Sequence, residues 1–182
     1  MTICAVCHEP FWQRNSMQSV CSRGCARKVP VLARKAERKD DKARREKLKT
    51  VGQLEADCRA IVQHIARIRD RHAGCISCHM PANYGGIWHG SHYRAHGGCS
   101  SLQMNLWNIH KSCAQCNLFK SGNREGYVRG LLAKPGYGRE RLDWLDSQPK
   151  SRKFSRDYLH RFKKVMGKRL RRLLRKLKED QA

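Results

Sequence analysis

The residues of this sequence best suited to chemistry are its cysteines and histidines, ten and nine among 182 residues. Eight of the cysteines fall into two quartets. Cys4-x2-Cys7 is followed after 13 residues by Cys21-x3-Cys25, and Cys75-x2-Cys78 is followed after 34 residues by Cys113-x2-Cys116. Four thiolates held at about 2.3 Å around a tetrahedral Zn²⁺ require each pair to be drawn together by a tight turn, which x2 and x3 loops supply. Each quartet is therefore read as a structural zinc site: Cys4, Cys7, Cys21 and Cys25 hold one ion, and Cys75, Cys78, Cys113 and Cys116 hold the second. Phe11 and Trp12 lie between the first two pairs, where they can cover so small a centre. Cys58 falls on an apolar helical stripe and is read as a small buried residue.

The 34-residue insertion of the second quartet carries His79, His89, His92, His96 and His110, more imidazoles than a zinc loop requires. Thiolates already fill that zinc, so the histidines are left for another task. Gly90-Ser91-His92-Tyr93-Arg94, followed by Asn105, Asn108-Ile109-His110-Lys111, Cys113-x2-Cys116-Asn117 and Lys120-Ser121-Gly122-Asn123, resembles the phage NinG proteins, also called Rap. The likeness runs from Cys75 to Asn123 and is supported by an N-terminal quartet, a charged spacer and a helix in the same order. It implies a phage recombination nuclease that cuts branched DNA such as Holliday junctions and D-loops. The pattern is also similar to the wider HNH, or ββα-metal, endonucleases, including phage junction resolvases with a zinc quartet. In those, a His on the first strand activates water and an Asn just after the last zinc Cys binds the catalytic cation, which implies His92 and Asn117 in these roles. By the same analogy the partners are branched DNA, a second copy of the chain in a homodimer that makes paired cuts, and other phage or host recombination proteins.

The spacing agrees with that placement. Asn108 and His110 are two apart and share one face of a strand, and His92 can lie on the partner strand of a hairpin. A helix starting near Cys113 sets Asn117 at i+4 from Cys113 and Lys120 at i+3 from Asn117. With the zinc clamping hairpin to helix, His92, His110 and Asn117 are expected to converge, and Asn108 completes the catalytic set. Phosphodiester hydrolysis needs a base, a cation for the developing charge and help for the leaving oxygen. A neutral imidazole of pKa about 6.5 can act as the base, and a Mg²⁺ or Mn²⁺ held by Asn oxygen and imidazole can supply the rest. Where many HNH enzymes carry Asp or His directly before the base, this chain has Ser91. His89 is the substitute by type but faces away from His92 on a regular strand, so a bulge at Gly90 would have to re-aim it. His110 ranks above His89 as the cation ligand beside Asn117. His79 and His96 are read as loop residues, His64 and His72 as helix surface, and His8 as a neighbour of the first zinc.

The elements that must position these groups sit in a chain with 39 Lys plus Arg against 15 Asp plus Glu, a formal charge of +24. That balance disfavours most small-molecule enzymes and calls for a polyanion. The expected fold is a small, zinc-stabilised α+β protein with an HNH-like ββα-metal core. Its parts are an N-terminal zinc module over 1–29, a charged helical spacer over 30–50, a nuclease core with a leading helix over 51–148, and a basic amphipathic helix over 149–182. In the spacer, Asp40 with Arg44 and Asp41 with Arg45 stand at i,i+4. The leading helix shows Leu54, Cys58, Ile61, Ile65 and Ile68 on one stripe and ends near Gly74. Pro81 to Trp107 reads as loops and short strands, and Gly122 to Gly138 as loop apart from Leu131 and Leu132. Lys150 to Ala182 holds 14 Lys plus Arg against 3 acids, with Tyr158, Phe162, Val165, Met166, Leu170, Leu173 and Leu177 at helical spacing and Gly167 as a possible bend. Its opposite face offers Lys168, Arg171, Arg172 and Arg175 to DNA, joined by Arg94, Lys111 and Lys120 from the core. No run of 18 apolar residues suggests a membrane span, and Met1 to Val6 lacks the apolar stretch of a secretory signal, so the expected location is the cytoplasm of the phage-infected host. The competing reading is a non-catalytic zinc protein that binds DNA through charge and assists recombination. The constellation of His92, His110, Asn117 and Lys120 is what favours the enzyme.

Overall fold

The computed structural model describes residues 1–180; positions 181 and 182, the end of the region expected to form the basic helix, lie outside the described residues. The chain divides into two compact units, Met1–Lys49 and Thr50 onward. In the first, the two-residue strands β1 (Thr2–Ile3) and β2 (Pro10–Phe11) pair antiparallel, and the 26-residue helix α1 spans Arg23–Leu48. Ser22 caps α1, its Oγ accepting from the Cys25 amide at 3.2 Å. The boundary expected at residue 29 is therefore the interior of one helix, which starts within the cysteine module and runs through the charged spacer. Cys25 is the one buried residue of α1. Arg44 pairs with Asp41 at i,i+3 and 2.8 Å.

The second unit opens with α2 (Val51–Arg69), fixed by a capping box in which Thr50 Oγ1 accepts from the Gln53 amide and Gln53 Oε1 accepts from the Thr50 amide. Leu54, Cys58, Val62, Ile65, Ala66 and Ile68 form its buried stripe. Val62 takes the place expected for the half-buried Ile61, and Cys58 is fully buried as expected of a small apolar residue. The C-terminal helix α5 (Arg156–Glu179) packs on α2. Its Leu159, not Tyr158, is the buried residue at the start, and Val165 is exposed. A pair of Lys163 with Asp57 at 2.6 Å locks the two helices. Gly167 lies within the unbroken α5.

Between α2 and the rest lies an antiparallel hairpin of β3 (Trp88–His92) and β4 (Ile109–Cys113). Trp88 pairs with Cys113, Gly90 with Lys111, Ser91 with His110 and His92 with Ile109. Side chains alternate across a strand, so Gly90, His92 and Ile109 share one face while His89, Ser91, His110 and Ser112 share the other. The first face rests on α2: Ile109 joins Leu54, Cys58, Val62 and Ala66 in one core cluster, and any side chain at Gly90 would strike Gln63. The strand is regular at Gly90, without the bulge that would re-aim His89.

β4 continues to Cys113, where a helix was expected to begin, and only a single wide turn follows over Gln115–Phe119. The stretch expected to be loop instead holds α3 (Arg124–Ala133), and α4 (Arg139–Ser147) follows. Together with Tyr93, Cys99, Leu102 and Tyr137 they form a second core through Tyr127, Leu131, Leu142 and Leu145. α3 contains Gly126 and Gly130, which lower helix propensity and masked it in the sequence. They are needed because α3 lies directly on the Cys75–Cys78 turn: a Cβ at Gly126 would collide with the Ser77 carbonyl, and one at Gly130 with that of Ile76. Asp70, at the end of α2, is the buried acid of the unit; it accepts from Arg69, from Lys134 Nζ at 2.8 Å and from the Lys111 amide at 3.2 Å. Burial alone would raise its pKa, but hydrogen bonds from Arg69 and Lys134 outweigh it and hold the carboxyl at about 2.

Substituting Gly130→Ala should lower unfolding stability by about 1–3 kcal/mol through overpacking, whereas Gly52→Ala, which points into open space, should leave it unchanged or slightly higher. Urea denaturation of the two variants makes the comparison.

Candidate functional site

The eight quartet cysteines come together in two groups, each with its four sulfurs within 4.8 Å of one another. In the first, Cys7 Sγ and Cys25 Sγ both lie 3.6 Å from Cys21 Sγ; in the second, Cys78 and Cys113 are 3.8 Å apart. A tetrahedral zinc with bonds of about 2.3 Å spaces its sulfurs by about 3.8 Å, so both donor sets fit that ion. The thiols are poised unequally. Backbone amides led by that of Cys7 lower Cys4 to about 6. Burial opposes ionisation of Cys75, but the Cys113 amide and the Ser112 hydroxyl bring it down to about 7. Neighbouring thiols push Cys21 up to about 12, and burial followed by the other sulfurs does the same to Cys78. Without metal, one thiolate in a quartet makes the next costly; a divalent ion removes that penalty.

At the other end of the hairpin, the connection after His92 is held by Asn108. Its Oδ1 accepts from the Arg94 amide at 2.8 Å, and its Nδ2 donates to the carbonyls of Arg94 and Leu102 at 3.0 and 3.2 Å. Asn108 is fully buried, so it positions rather than reacts. His92 is half-buried, with Nε2 3.0 Å from the Gln103 carbonyl. A carbonyl only accepts, so Nε2 carries a proton and Nδ1 keeps its lone pair when the ring is neutral. Burial lowers the His92 pKa, the Gln103 carbonyl partly offsets this, and His96 and Arg59 push it lower. The exposed His96 ring lies 6.0 Å from that of His92. Gln103 is held in turn by Arg59, whose Nη1 donates to its Oε1 at 2.5 Å. No pattern in the sequence marks Gln103 or Arg59, because the contact depends on a main-chain carbonyl and on α2.

The expected convergence of His92 with His110 does not occur. Register sends them to opposite faces, and His110 is 1% exposed, packed edge-on against Tyr127 and Tyr137. Its Nδ1 lies 3.3 Å from the Tyr127 hydroxyl, which also donates to the Ser91 carbonyl. Burial first, then Arg69 and Lys134, take His110 down to about 3. It is a neutral core residue with no route to a solvated cation. His89 shares its face, and His89 Nε2 is buried without a hydrogen-bond partner among the described residues. Asn117 is half-buried on the turn after the second quartet; no hydrogen bond joins it to His92 among the described residues. Of the cations expected to meet DNA, Lys120, Lys168, Arg171, Arg172 and Arg175 are exposed. Lys111 is buried: its Nζ donates to the carbonyls of Arg71 and Ala73 at 3.1 and 2.8 Å and lies 4.0 Å over the Trp88 ring. Arg94 Nη1 donates to the carbonyls of Leu145, Asp146 and Gln148, closing the end of α4. Both are corrected from DNA contacts to internal fasteners.

Metal analysis should return two zinc equivalents per chain, with one lost in Cys21→Ser and one in Cys113→Ser. Acid should weaken the fold through His110: the unfolded imidazole takes its proton below pH 6.5 while the folded one stays neutral to about pH 3. Stability then falls with pH in that window, by at most about 1.4 kcal/mol per unit. The share of Asp70 begins only below its unfolded value of 3.8, and His92 and His64, also lowered by burial, add to the slope between pH 6.5 and 4.5, so the part of His110 is the difference between wild type and a His110 variant. His110→Phe should flatten that slope in urea titrations at equal zinc loading.

The whole arrangement has relatives. Residues 1–178 match the family model described as Bacteriophage Lambda NinG protein. The chain is 31% identical over 160 residues to a protein ninG of Escherichia phage lambda, covering 78% of this chain and 76% of the relative. It is 29% identical over 168 residues to a protein ninG of Salmonella phage P22, covering 82% and 81%, and 36% identical over 86 residues to that of Escherichia phage 933W, covering 47% and 41%. No solved structure matches the chain. With the match running through both cysteine quartets, the hairpin and α5, this chain belongs to the phage NinG family.

Proposed function

We propose that this chain is a metal-dependent endonuclease of branched DNA, acting on recombination intermediates such as Holliday junctions and D-loops. The observation that carries the reading is His92: a buried carbonyl fixes its tautomer with Nδ1 unprotonated, and burial keeps the ring neutral near pH 7. A general base needs that state, oriented by a partner on its other nitrogen. The order β3, β4, α3, with Asn108 tying the connection after His92, supports an HNH-like ββα core in which His92 Nδ1 takes the proton of the attacking water. Asn117 is the side chain offered to a catalytic Mg²⁺ or Mn²⁺, whose role when bound would be to neutralise charge on the phosphate and leaving oxygen; His89, on the opposite face of the regular strand from His92, is not part of that set. With Ser91 in place of an acid the donor set is neutral, and three or more positions on the cation are left to water and phosphate. Lys120 and the exposed face of α5, with Lys168, Arg171, Arg172 and Arg175, hold the phosphate backbone. Two copies acting together would make paired cuts across a four-way junction.

The burial of His110 favours a second reading, a zinc protein that binds branched DNA without cutting it, because it removes one expected cation ligand. Labelled four-way, three-way and linear DNA, incubated with and without Mg²⁺ or Mn²⁺, separates the two. On the nuclease reading His92→Ala loses nicking by about 10²-fold or more with DNA binding and zinc content unchanged, and raised Mn²⁺ does not restore it. Asn117→Ala is partly restored by Mn²⁺. The rate should rise with pH as His92 loses its proton, with an inflection below 6.5, since burial lowers its pKa from that value. Wild-type protein that binds junctions and never nicks them would establish the second reading.

A further inference from the structure

The turn that follows the second quartet ends in two adjacent apolar side chains, both exposed. Leu118 is 59% and Phe119 74% exposed. The backbone then passes through three successive left-handed residues, Ser121 (φ 48°), Gly122 (φ 88°) and Asn123 (φ 47°). Only one of these is glycine, and such conformations persist where the surroundings over-determine them. They are over-determined: the Gly122 amide donates to the Cys116 carbonyl at 2.9 Å, Ser77 Oγ donates to the Gly122 carbonyl at 3.1 Å, and Asn123 Nδ2 donates to the Ser77 carbonyl at 2.7 Å. Cys113 and Cys116 close the other side. The backbone that leaves the apolar tip is thus fastened to the Cys75–Cys78 turn, with Leu118 and Phe119 facing outward.

Positive charge accompanies the tip. Lys120 is exposed beside Phe119, and the chain as a whole carries +24. A stiff apolar wedge beside cations is the form in which proteins enter unstacked base steps, and a branch point is where DNA offers steps already partly unstacked. We propose that Leu118 and Phe119 form a wedge that enters DNA at the branch point, Phe119 stacking on an exposed base while Lys120 takes an adjoining phosphate. The inference rests on the branched-DNA reading and deepens it. It makes the tip, two residues from Asn117, the part of the chain that recognises the branch.

The test uses the full zinc-loaded chain and a four-way junction carrying 2-aminopurine at the branch, in buffer without added Mg²⁺ or Mn²⁺ so that no cutting intervenes. Wild-type protein should raise the 2-aminopurine fluorescence on the junction and not on a linear duplex of the same sequence. Phe119→Ala should abolish the rise and weaken junction binding about tenfold, with linear-duplex affinity and zinc content unchanged; Phe119→Trp should keep the rise. The proposal is overturned if Phe119→Ala gives the wild-type rise, or if linear duplex gives an equal one. It is also overturned if Phe119→Ala turns a dimer into a monomer by sedimentation with the rise intact, since the tip would then be a contact between copies. Nicking in Mg²⁺ is scored separately: a rise lost in Phe119→Ala without any wild-type nicking leaves the wedge standing and removes the nuclease, whereas normal nicking with an unaltered rise removes the wedge alone. Failure of wild-type protein to bind the junction removes both.

Discussion

The closure of Cys75 and Cys78 onto Cys113 and Cys116 is the constraint on which the second unit turns. Beyond the thiolates themselves, the Ile76 amide donates to the Lys111 carbonyl and the Cys113 amide to Cys75 Sγ, so the turn is stitched to the end of β4 by main chain as well. α3 can then lie on that turn only through Gly126 and Gly130, and Gly122 and Asn123, which follow the Leu118–Phe119 tip, are moored to Ser77 on the same turn. Hairpin, tip and α3 share one anchor. Closing a loop of 34 residues costs chain entropy, and a metal that binds only the closed form returns that cost as folding free energy. A structure with modest apolar clusters can in this way hold a long, irregular connection in a single arrangement.

A second theme is how a strongly cationic chain divides its positive charge. Asp70, buried at the end of α2, gathers Arg69, Lys134 and the Lys111 amide, and Lys111 itself closes on the carbonyls that follow α2. Arg94 is spent on the end of α4. A guanidinium or ammonium that satisfies several carbonyls does the work of a helix cap or a cross-link, and the exchange leaves the exposed α5 face as the main cationic surface of this unit.

The legible parts of the sequence were those fixed by local spacing. Both quartets could be read because ligands with two or three residues between them need only a turn, and α2 because its apolar stripe from Leu54 to Ile68 persists over about four turns. The motif positions of His92, Asn108 and Asn117 were equally visible, but the geometry that relates them was not. Whether His92 and His110 share a face depends on one unit of strand register, and that register is set across the irregular connection from Tyr93 to Asn108, where Asn108 clamps Arg94. Pairing Ser91 with His110 sends the second imidazole into the core between two tyrosines. α3 escaped notice because its two glycines serve a neighbour distant in sequence. At the start of α5, Tyr158 and Leu159 are both apolar, and only packing against Cys58 and its neighbours decides which goes inside.

α1 carries a consequence for how order is distributed in the first unit. The helix has 26 residues and buries only Cys25, in its first turn. Starting a helix is the unfavourable step, since several residues are fixed before hydrogen bonds reward them. Closing Cys21 and Cys25 on a common ion, with Ser22 capping between them, would set that first turn in place and leave to the charged stretch beyond elongation past the one missing amide of Pro30. Helicity in this unit is then seeded from one end. Amide protection should be greatest beside the cysteines and decay toward Leu48, and stripping the metal should melt the helix from its root rather than fray it from its tip.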